Sequence, residues 1–270
     1  MLMSNFLRDR KSTREYKDKD VSKETLEKIM EYGEDIEKEI GDKSFKFLLL
    51  KNGDKVYELL KGKGGYAGVM IKSPHYIGLE ILNDSRDAII KGSYAMEKLI
   101  TKVTEYGLGT CWISIESVDE ETKKELYDNL EGNIDYILAI GNPVPKNPFI
   151  QEPDSCRLSI EDIVFKGEIG KNIAADELES RGLSDLFYYT RFAPSSYNNQ
   201  PWRFILKDNK IVLILMKDED KFSFIDAGII MYYFENMASA IGITGKWQLL
   251  NDKDVEVNGI TYNYIGEFNI

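Results

Sequence analysis

The sequence predicts an α+β fold made of two similar halves, and two observations support this class. Stretches with a 3.6-residue apolar period alternate with short runs of aliphatic and aromatic residues, a pattern typical of helices and strands that share a core. A unit of long helix, glycine and strand also recurs, at residues 107–112 (Gly-Leu-Gly-Thr-Cys-Trp) and 242–247 (Gly-Ile-Thr-Gly-Lys-Trp). We therefore expect a mixed or antiparallel sheet flanked by helices in each half.

In the first half, an amphipathic helix begins behind Ser22, a typical N-cap, and its apolar stripe continues to Ile40. A second helical stripe runs from Met96 to Val103 and stops at Gly107, because glycine readily ends a helix. Strands are expected over residues 45–51, 75–82, 110–115 and 134–140, which are apolar and bounded by turn-forming residues.

The second half follows an extended segment that holds four of the seven prolines, at positions 143, 145, 148 and 153. Helices are expected over 176–190 and 227–241, and strands over 203–206 and 211–216. The strand at 203–209 is similar to the one at 46–52, so two pairs of segments correspond in the same order. The predicted halves are residues 1–165 and 166–270.

Composition limits the function classes. A formal net charge of −11 disfavours nucleic acid as a partner, because phosphate contacts need a basic surface. No apolar run is long enough to span a bilayer and no signal-peptide core precedes the first charges, so we expect a cytoplasmic protein. The 2 cysteines and the single histidine, His75, predict neither a disulfide framework nor a metal site. We expect His75 to be structural, at the edge of a strand.

Two strings carry most of the functional signal. Residues 10–14 read Arg-Lys-Ser-Thr-Arg, and residues 193–204 read Ala-Pro-Ser-Ser-Tyr-Asn-Asn-Gln-Pro-Trp-Arg-Phe. Arginines suit a phosphate dianion because the planar guanidinium donates two parallel hydrogen bonds and stays charged when desolvated. Small hydroxyls let a backbone approach a ligand, and an amide both donates and accepts. Taken alone, the first string also fits a solvated charge run, and the second a rigid turn before a strand.

Together the two strings resemble the FMN-binding signature of the nitroreductase family. In that family the second string is expected about a helix after the first and comes from the partner subunit of a dimer. Here it lies roughly 180 residues downstream. The resemblance therefore implies a nitroreductase-like fold with two pseudo-symmetric halves fused in one chain, an internal pseudo-dimer that works as a monomer with one FMN.

Further segments extend the resemblance. Residues 107–114 are similar to the family segment whose backbone faces the reactive ring edge, which makes Ile113, Ser114 and Ile115 contact candidates. Arg157 matches a late basic motif that reaches the phosphate, although Ser155 replaces the lysine that many members carry there. Tyr66 lies in a glycine-rich stretch where the family places residues beside the ring, and where a plain turn is the alternative. The full set of cofactor-binding candidates is Arg10, Lys11, Ser12, Arg14, Tyr66, Ile113, Ser114, Ile115, Arg157, Pro194, Ser195, Ser196 and Asn198.

The resemblance implies an FMN-dependent oxidoreductase in which NAD(P)H supplies electrons and a nitroaromatic, quinone or similar small molecule accepts them. No side chain need act as acid or base, because the cofactor carries the chemistry, and no catalytic residue or metal is predicted. Two alternatives stay open from the sequence. One is a flavin storage or sensing protein without turnover, and the other is an interaction protein that has lost the cofactor.

Overall fold

A computed structural model describes residues 3–127, 129–145, 156–219 and 221–270. The described residues divide into two compact units. The first unit lies within Lys11–Glu152, and the second within Met1–Arg10 and Pro153–Ile270. The boundaries between these units thus fall after residues 10 and 152, whereas the sequence places one boundary after residue 165. The two-half fusion itself stays a prediction.

The first unit is an antiparallel sheet of strand order β1-β2-β4-β3 with helices packed on it. Its helices are α2 (Lys23–Ile40), α3 (Gly53–Leu60), α4 (Arg86–Glu105) and α5 (Glu120–Leu126), and its strands are β1 (Phe45–Leu50), β2 (His75–Ile81), β3 (Gly109–Ser114) and β4 (Asn133–Gly141). Local chemistry explains the helix starts: the Ser22 hydroxyl accepts from the Thr25 N–H at 3.2 Å, as an N-cap should. At the far end, Gly41 takes a left-handed φ of 75°.

The chain entering this unit runs beside strand β3, which lies at the edge of the sheet. The Thr13 N–H donates to the Thr110 carbonyl at 2.8 Å, and the Lys17 N–H donates to the Asn142 carbonyl at 2.8 Å. This approach requires Gly109, because a Cβ at that position would lie 2.4 Å from the Thr13 hydroxyl oxygen. The glycine thus fixes where the segment carrying Ser12 and Arg14 runs.

His75 holds the same segment from the other end. Its Nε2 accepts from the Val21 N–H at 3.2 Å, and its Nδ1 lies 2.8 Å from the Lys51 carbonyl. The imidazole is 5% exposed, so both ring nitrogens are used inside the protein. The structural role expected for His75 is confirmed.

The second unit is a mixed sheet of strand order β5-β6-β7-β10-β8, with β9 paired to β10. Its strands are β5 (Val164–Lys166), β6 (Trp202–Leu206), β7 (Lys210–Met216), β8 (Trp247–Leu249), β9 (Val255–Val257) and β10 (Ile260–Asn269), and its helices are α1 (Met3–Asp9), α6 (Ile160–Ile163), α7 (Ala175–Ser180), α8 (Ser184–Thr190) and α9 (Phe224–Ala240). Strands β5 and β6 are parallel, and the other neighbours are antiparallel.

Helix α9 is the core of this unit, and its polar residues Asp226 and Glu235 are buried along with the apolar ones. Helices α8 and α1 pack on it, so the N-terminal helix belongs with residues from the far end of the chain. The Phe6 and Tyr233 rings meet with centroids 5.9 Å apart. This docking carries Arg10, the residue after the helix, into the second unit.

The predicted α+β class, with its antiparallel and mixed sheets, is confirmed. The single helix expected over 176–190 is wrong: α7 and α8 are separate, because the chain turns at Gly182 with a left-handed φ of 66°. The C-terminal strands β9 and β10 were not predicted. Of the expected proline-rich segment, positions 148 and 153 lie outside the described residues. Within the part of the chain that the structure describes, no helix is both long and apolar enough to cross a bilayer.

Candidate functional site

Three arginines of the second unit form a cluster, defined here as Arg10, Arg157 and Arg191. The pKa of Arg157 is lowered to about 10, first because burial removes water from the guanidinium and second because Arg10 and Arg191 repel its charge. None of the three forms an ion pair with a carboxylate among the described residues. The Nε atoms of Arg10 and Arg157 are buried, and neither donates a hydrogen bond to an acceptor in the described residues. Such an arrangement is stabilised by an anion.

Arg157 is held in place by the polar loop that the sequence singled out. Its Nη1 donates to the Oδ1 of Asn198, and its Nη2 donates to the Phe192 carbonyl at 3.2 Å. Its Nε is buried and has no hydrogen-bond partner in the described residues. The fork of the guanidinium is therefore fixed in direction before any ligand arrives.

Arg191 reaches the cluster from the end of α8. Its guanidinium carbon lies 4.7 Å from the centre of the Tyr188 ring and 5.0 Å from that of Phe192. The Nη1 group donates to the Leu158 carbonyl at 3.3 Å. The Nε group donates to the Tyr188 carbonyl at 3.3 Å, so stacking on two rings and two carbonyl contacts orient this third cation. Arg191 was not among the predicted residues, because an arginine at a helix C-terminus is common for reasons of capping alone.

The loop over residues 194–200 is conformationally strained. Tyr197, Asn198 and Gln200 have φ values of 51°, 59° and 48°, in the left-handed region that L residues seldom adopt. Strain of this kind persists only where the surroundings enforce it, and it concentrates at functional sites. The enforcing contacts include the Ser195 hydroxyl, which accepts from the Gln200 N–H at 3.0 Å, and buried Asp226, which accepts from the Ser196 N–H at 3.0 Å.

The first unit carries a second group of candidates along the outer edge of β3, the side that faces away from β4. The Ile115 N–H donates to the Asp135 carbonyl at 2.7 Å, and by strand alternation the backbone of Ile113 also faces β4. The side chains of Ile113 and Ile115 are 2% and 0% exposed, so both belong to the core. Of the three predicted residues, Ser114 is the one whose backbone faces the outer edge of β3.

A glycine-rich loop covers that edge beside Ser114. The Gly65 N–H donates to the Ser114 carbonyl at 2.8 Å, which brings the predicted residues Tyr66 and Ser114 together. Gly65 has a φ of 80°, and a Cβ there would lie 2.3 Å from the Val69 carbonyl oxygen, so only glycine makes this turn. Tyr66 stands out from the turn with 69% of its surface exposed.

The 10–14 motif is divided between the units. Arg10 belongs to the second unit, and Lys11, Ser12 and Arg14 to the first. Arg14 lines a cleft of about 780 Å³ in the first unit, together with residues 51–54 and 72–74. The second unit thus holds Arg10, Arg157, Pro194, Ser195, Ser196 and Asn198, and the first holds Lys11, Ser12, Arg14, Tyr66, Ile113, Ser114 and Ile115.

The second unit therefore holds a cluster of three arginines, and the first unit holds a strand edge beside an exposed aromatic side chain. Comparison with known proteins places them in a class. The family described as "Putative TM nitroreductase" matches residues 3–238. The chain therefore belongs to this nitroreductase family, a family of oxidoreductases. No curated protein matches it.

Among solved structures, a "putative nitroreductase" from Thermotoga maritima is similar at 17% identity with a TM-score of 0.59, covering 98% of this chain and 94% of that one. This likeness shows the fold across both units. An FMN-dependent nitroreductase from Clostridium difficile is 21% identical, covering 65% of this chain and 94% of its own, with a TM-score of 0.45. A nitroreductase from Bacteroides fragilis, solved with bound FMN, is 18% identical, covering 58% and 98%, with a TM-score of 0.45.

Proposed function

We propose that this protein is an FMN-dependent oxidoreductase that takes electrons from NAD(P)H and passes them to a small acceptor such as a nitroaromatic or a quinone. Family membership supports the reaction class. FMN is the cofactor named for the similar proteins from Clostridium difficile and Bacteroides fragilis. The residues of this chain fit that cofactor chemically.

The observation that carries the proposal is the arginine cluster. Arg10 and Arg157 each bury an Nε that has no partner among the described residues, and like charges surround Arg157. A phosphate monoester carries close to two negative charges at neutral pH and three acceptor oxygens, so it supplies both the missing charge and the missing acceptors. We assign the FMN phosphate to Arg10 and Arg157.

The other candidates have roles that follow from their chemistry. Pro194, Ser195 and Ser196 form a small-residue loop beside the arginine cluster that a ribityl chain can approach. In the first unit, Ser12 and Arg14 offer donors, and the Ser114 N–H, which faces away from β4, offers a backbone donor to a ring edge. When bound, FMN supplies the electron transfer, and the protein binds, orients and shields it.

The first test is an absorbance spectrum of the purified protein, followed by anaerobic mixing with NADH or NADPH in a stopped-flow instrument. We expect flavin absorbance that is released by denaturation as FMN and bleached by one of the nicotinamides. Bound flavin that neither nicotinamide reduces would instead indicate a storage or sensing protein. A protein that binds no FMN after incubation with excess cofactor would contradict the proposal.

A further inference from the structure

Both polar atoms of the exposed Asn198 amide have a partner in the neighbouring stretch 156–158. Its Oδ1 accepts from Nη1 of Arg157, and its Nδ2 donates to the Cys156 carbonyl at 2.8 Å. Because the amide oxygen only accepts and the amide nitrogen only donates, these two contacts fix which way the amide faces. The Asn198 amide, which the motif would offer to a flavin ring, thus faces Arg157 and Cys156 instead.

Gln200 joins the same two segments at a second point. Its Oε1 accepts from the Leu158 N–H at 2.9 Å, and its Nε2 donates to the Asn198 carbonyl at 3.1 Å. The side chain is 4% exposed, and a buried amide must keep its partners. Asn198 and Gln200 therefore fasten the stretch 156–158 to the loop on both sides of Arg157.

The backbone of the loop agrees with this role. Asn198 and Gln200 both have left-handed φ values, 59° and 48°, which turn their side chains toward the 156–158 stretch. The hydrogen bonds to that stretch offset the cost of a backbone conformation that L residues seldom adopt. The strained backbone of the loop thus places the side chains that hold Arg157 and its neighbours.

We propose that Asn198 is a positioning residue that acts on the cofactor through Arg157, with Gln200 holding the segment that carries this arginine. This inference rests on the proposed FMN function and refines it. Asn198 then determines how strongly the site selects a phosphorylated flavin. Direct contact of Asn198 with the flavin ring or ribityl chain is the competing interpretation, and the two differ in a measurable way.

Riboflavin separates the two interpretations because it has the ring and ribityl chain of FMN but no phosphate. A residue that contacts the ring contributes equally to both ligands. A residue that positions Arg157 contributes to FMN alone. The measurement is the dissociation constant of each ligand, by fluorescence quenching on flavin-free protein.

The variant is Asn198→Gly, because glycine keeps the left-handed backbone without strain and removes the amide. We expect FMN to bind about tenfold more weakly, the size of one charge-assisted hydrogen bond, and riboflavin to change by less than about twofold. The matched control is Asn199→Ala, the neighbouring asparagine, whose Nδ2 donates to Asp218 Oδ2 at 2.7 Å instead. It should leave both constants unchanged.

A double-mutant cycle with Arg157→Met completes the test. Once Arg157 is gone, Asn198→Gly should have no further effect on FMN, since independent contacts would add and coupled ones do not. If Asn198→Gly lowers the affinity of FMN and riboflavin equally, or adds fully to Arg157→Met, the inference is wrong while the proposed function stands. If the parent protein binds neither flavin, both fall.

Asn198→Asp guards against a glycine variant that fails to fold. Aspartate tolerates the left-handed backbone and keeps an acceptor for Arg157, but its charge competes with phosphate. We expect it to weaken FMN more than Asn198→Gly does and to leave riboflavin unchanged. Equal losses for both ligands would again contradict positioning.

Discussion

Replacing Arg10 with Met should weaken FMN binding and, in the flavin-free protein, raise stability. Methionine keeps much of the apolar stem and removes the charge. The lost donor costs FMN about 1.5–3 kcal/mol, or roughly 10- to 150-fold in the dissociation constant. In the flavin-free protein, the charge of Arg10 adds to the burial that already lowers the pKa of Arg157. Removing it should stabilise the fold by roughly 0.5 kcal/mol, the usual size of a partly solvated charge interaction.

The assay pairs FMN titration with urea unfolding of flavin-free protein, and riboflavin binding should not respond. Arg181→Met is the control: its guanidinium, in the same unit, donates to the Lys207 and Asp208 carbonyls at 3.0 and 2.7 Å. It should leave FMN affinity intact. If Arg10→Met lost stability without flavin, Arg10 would be a structural contact. If FMN affinity did not change, the charge-run interpretation of residues 10–14 would be correct.

Three further outcomes are expected. Because one set of motifs is present, flavin released from pure protein should amount to one FMN per chain, and two per chain would refute the fusion argument. Gly65→Ala should lower the free energy of unfolding in urea by about 3 kcal/mol, because the added Cβ clashes with Val69 and the backbone has a left-handed φ of 80°. The matched variant Gly62→Ala has a similar φ of 78° but open space around the Cβ, so it should cost about 1 kcal/mol. The pKa of Asp119 is lowered to about 2, first by the hydrogen bond from the Thr122 N–H, so the carboxyl has a lower pKa in the folded than in the unfolded protein. Its contribution to the free energy of unfolding is therefore present above about pH 4 and is lost as the pH falls toward 2. Asp119→Asn should flatten that part of the stability–pH curve, and an unchanged curve would show that other carboxylates control it.

Local interactions explain what the sequence predicted correctly. Helix α2 begins at a hydroxyl cap, and strand β1 follows from an apolar side-chain pattern. Both signals lie within a few residues, so the sequence alone shows them. The break at Gly182 was missed because apolar residues continue across it and a left-handed glycine leaves no periodic signal. The strand β10 was missed because its order depends on pairing with β7, whose residues lie about fifty positions earlier.

The candidate site divides in the same way. By itself, the sequence determined which residue types were available: arginines for a phosphate, small hydroxyls, an amide, and glycines where the backbone must turn. Tertiary structure alone decided that helix α1 docks on α9, that Arg10 joins Arg157 and Arg191, and that Asn198 faces Arg157. The reason is physical. Desolvation and the pairing of charges depend on which distant segments exclude water together, and that information is absent from any short stretch of the chain.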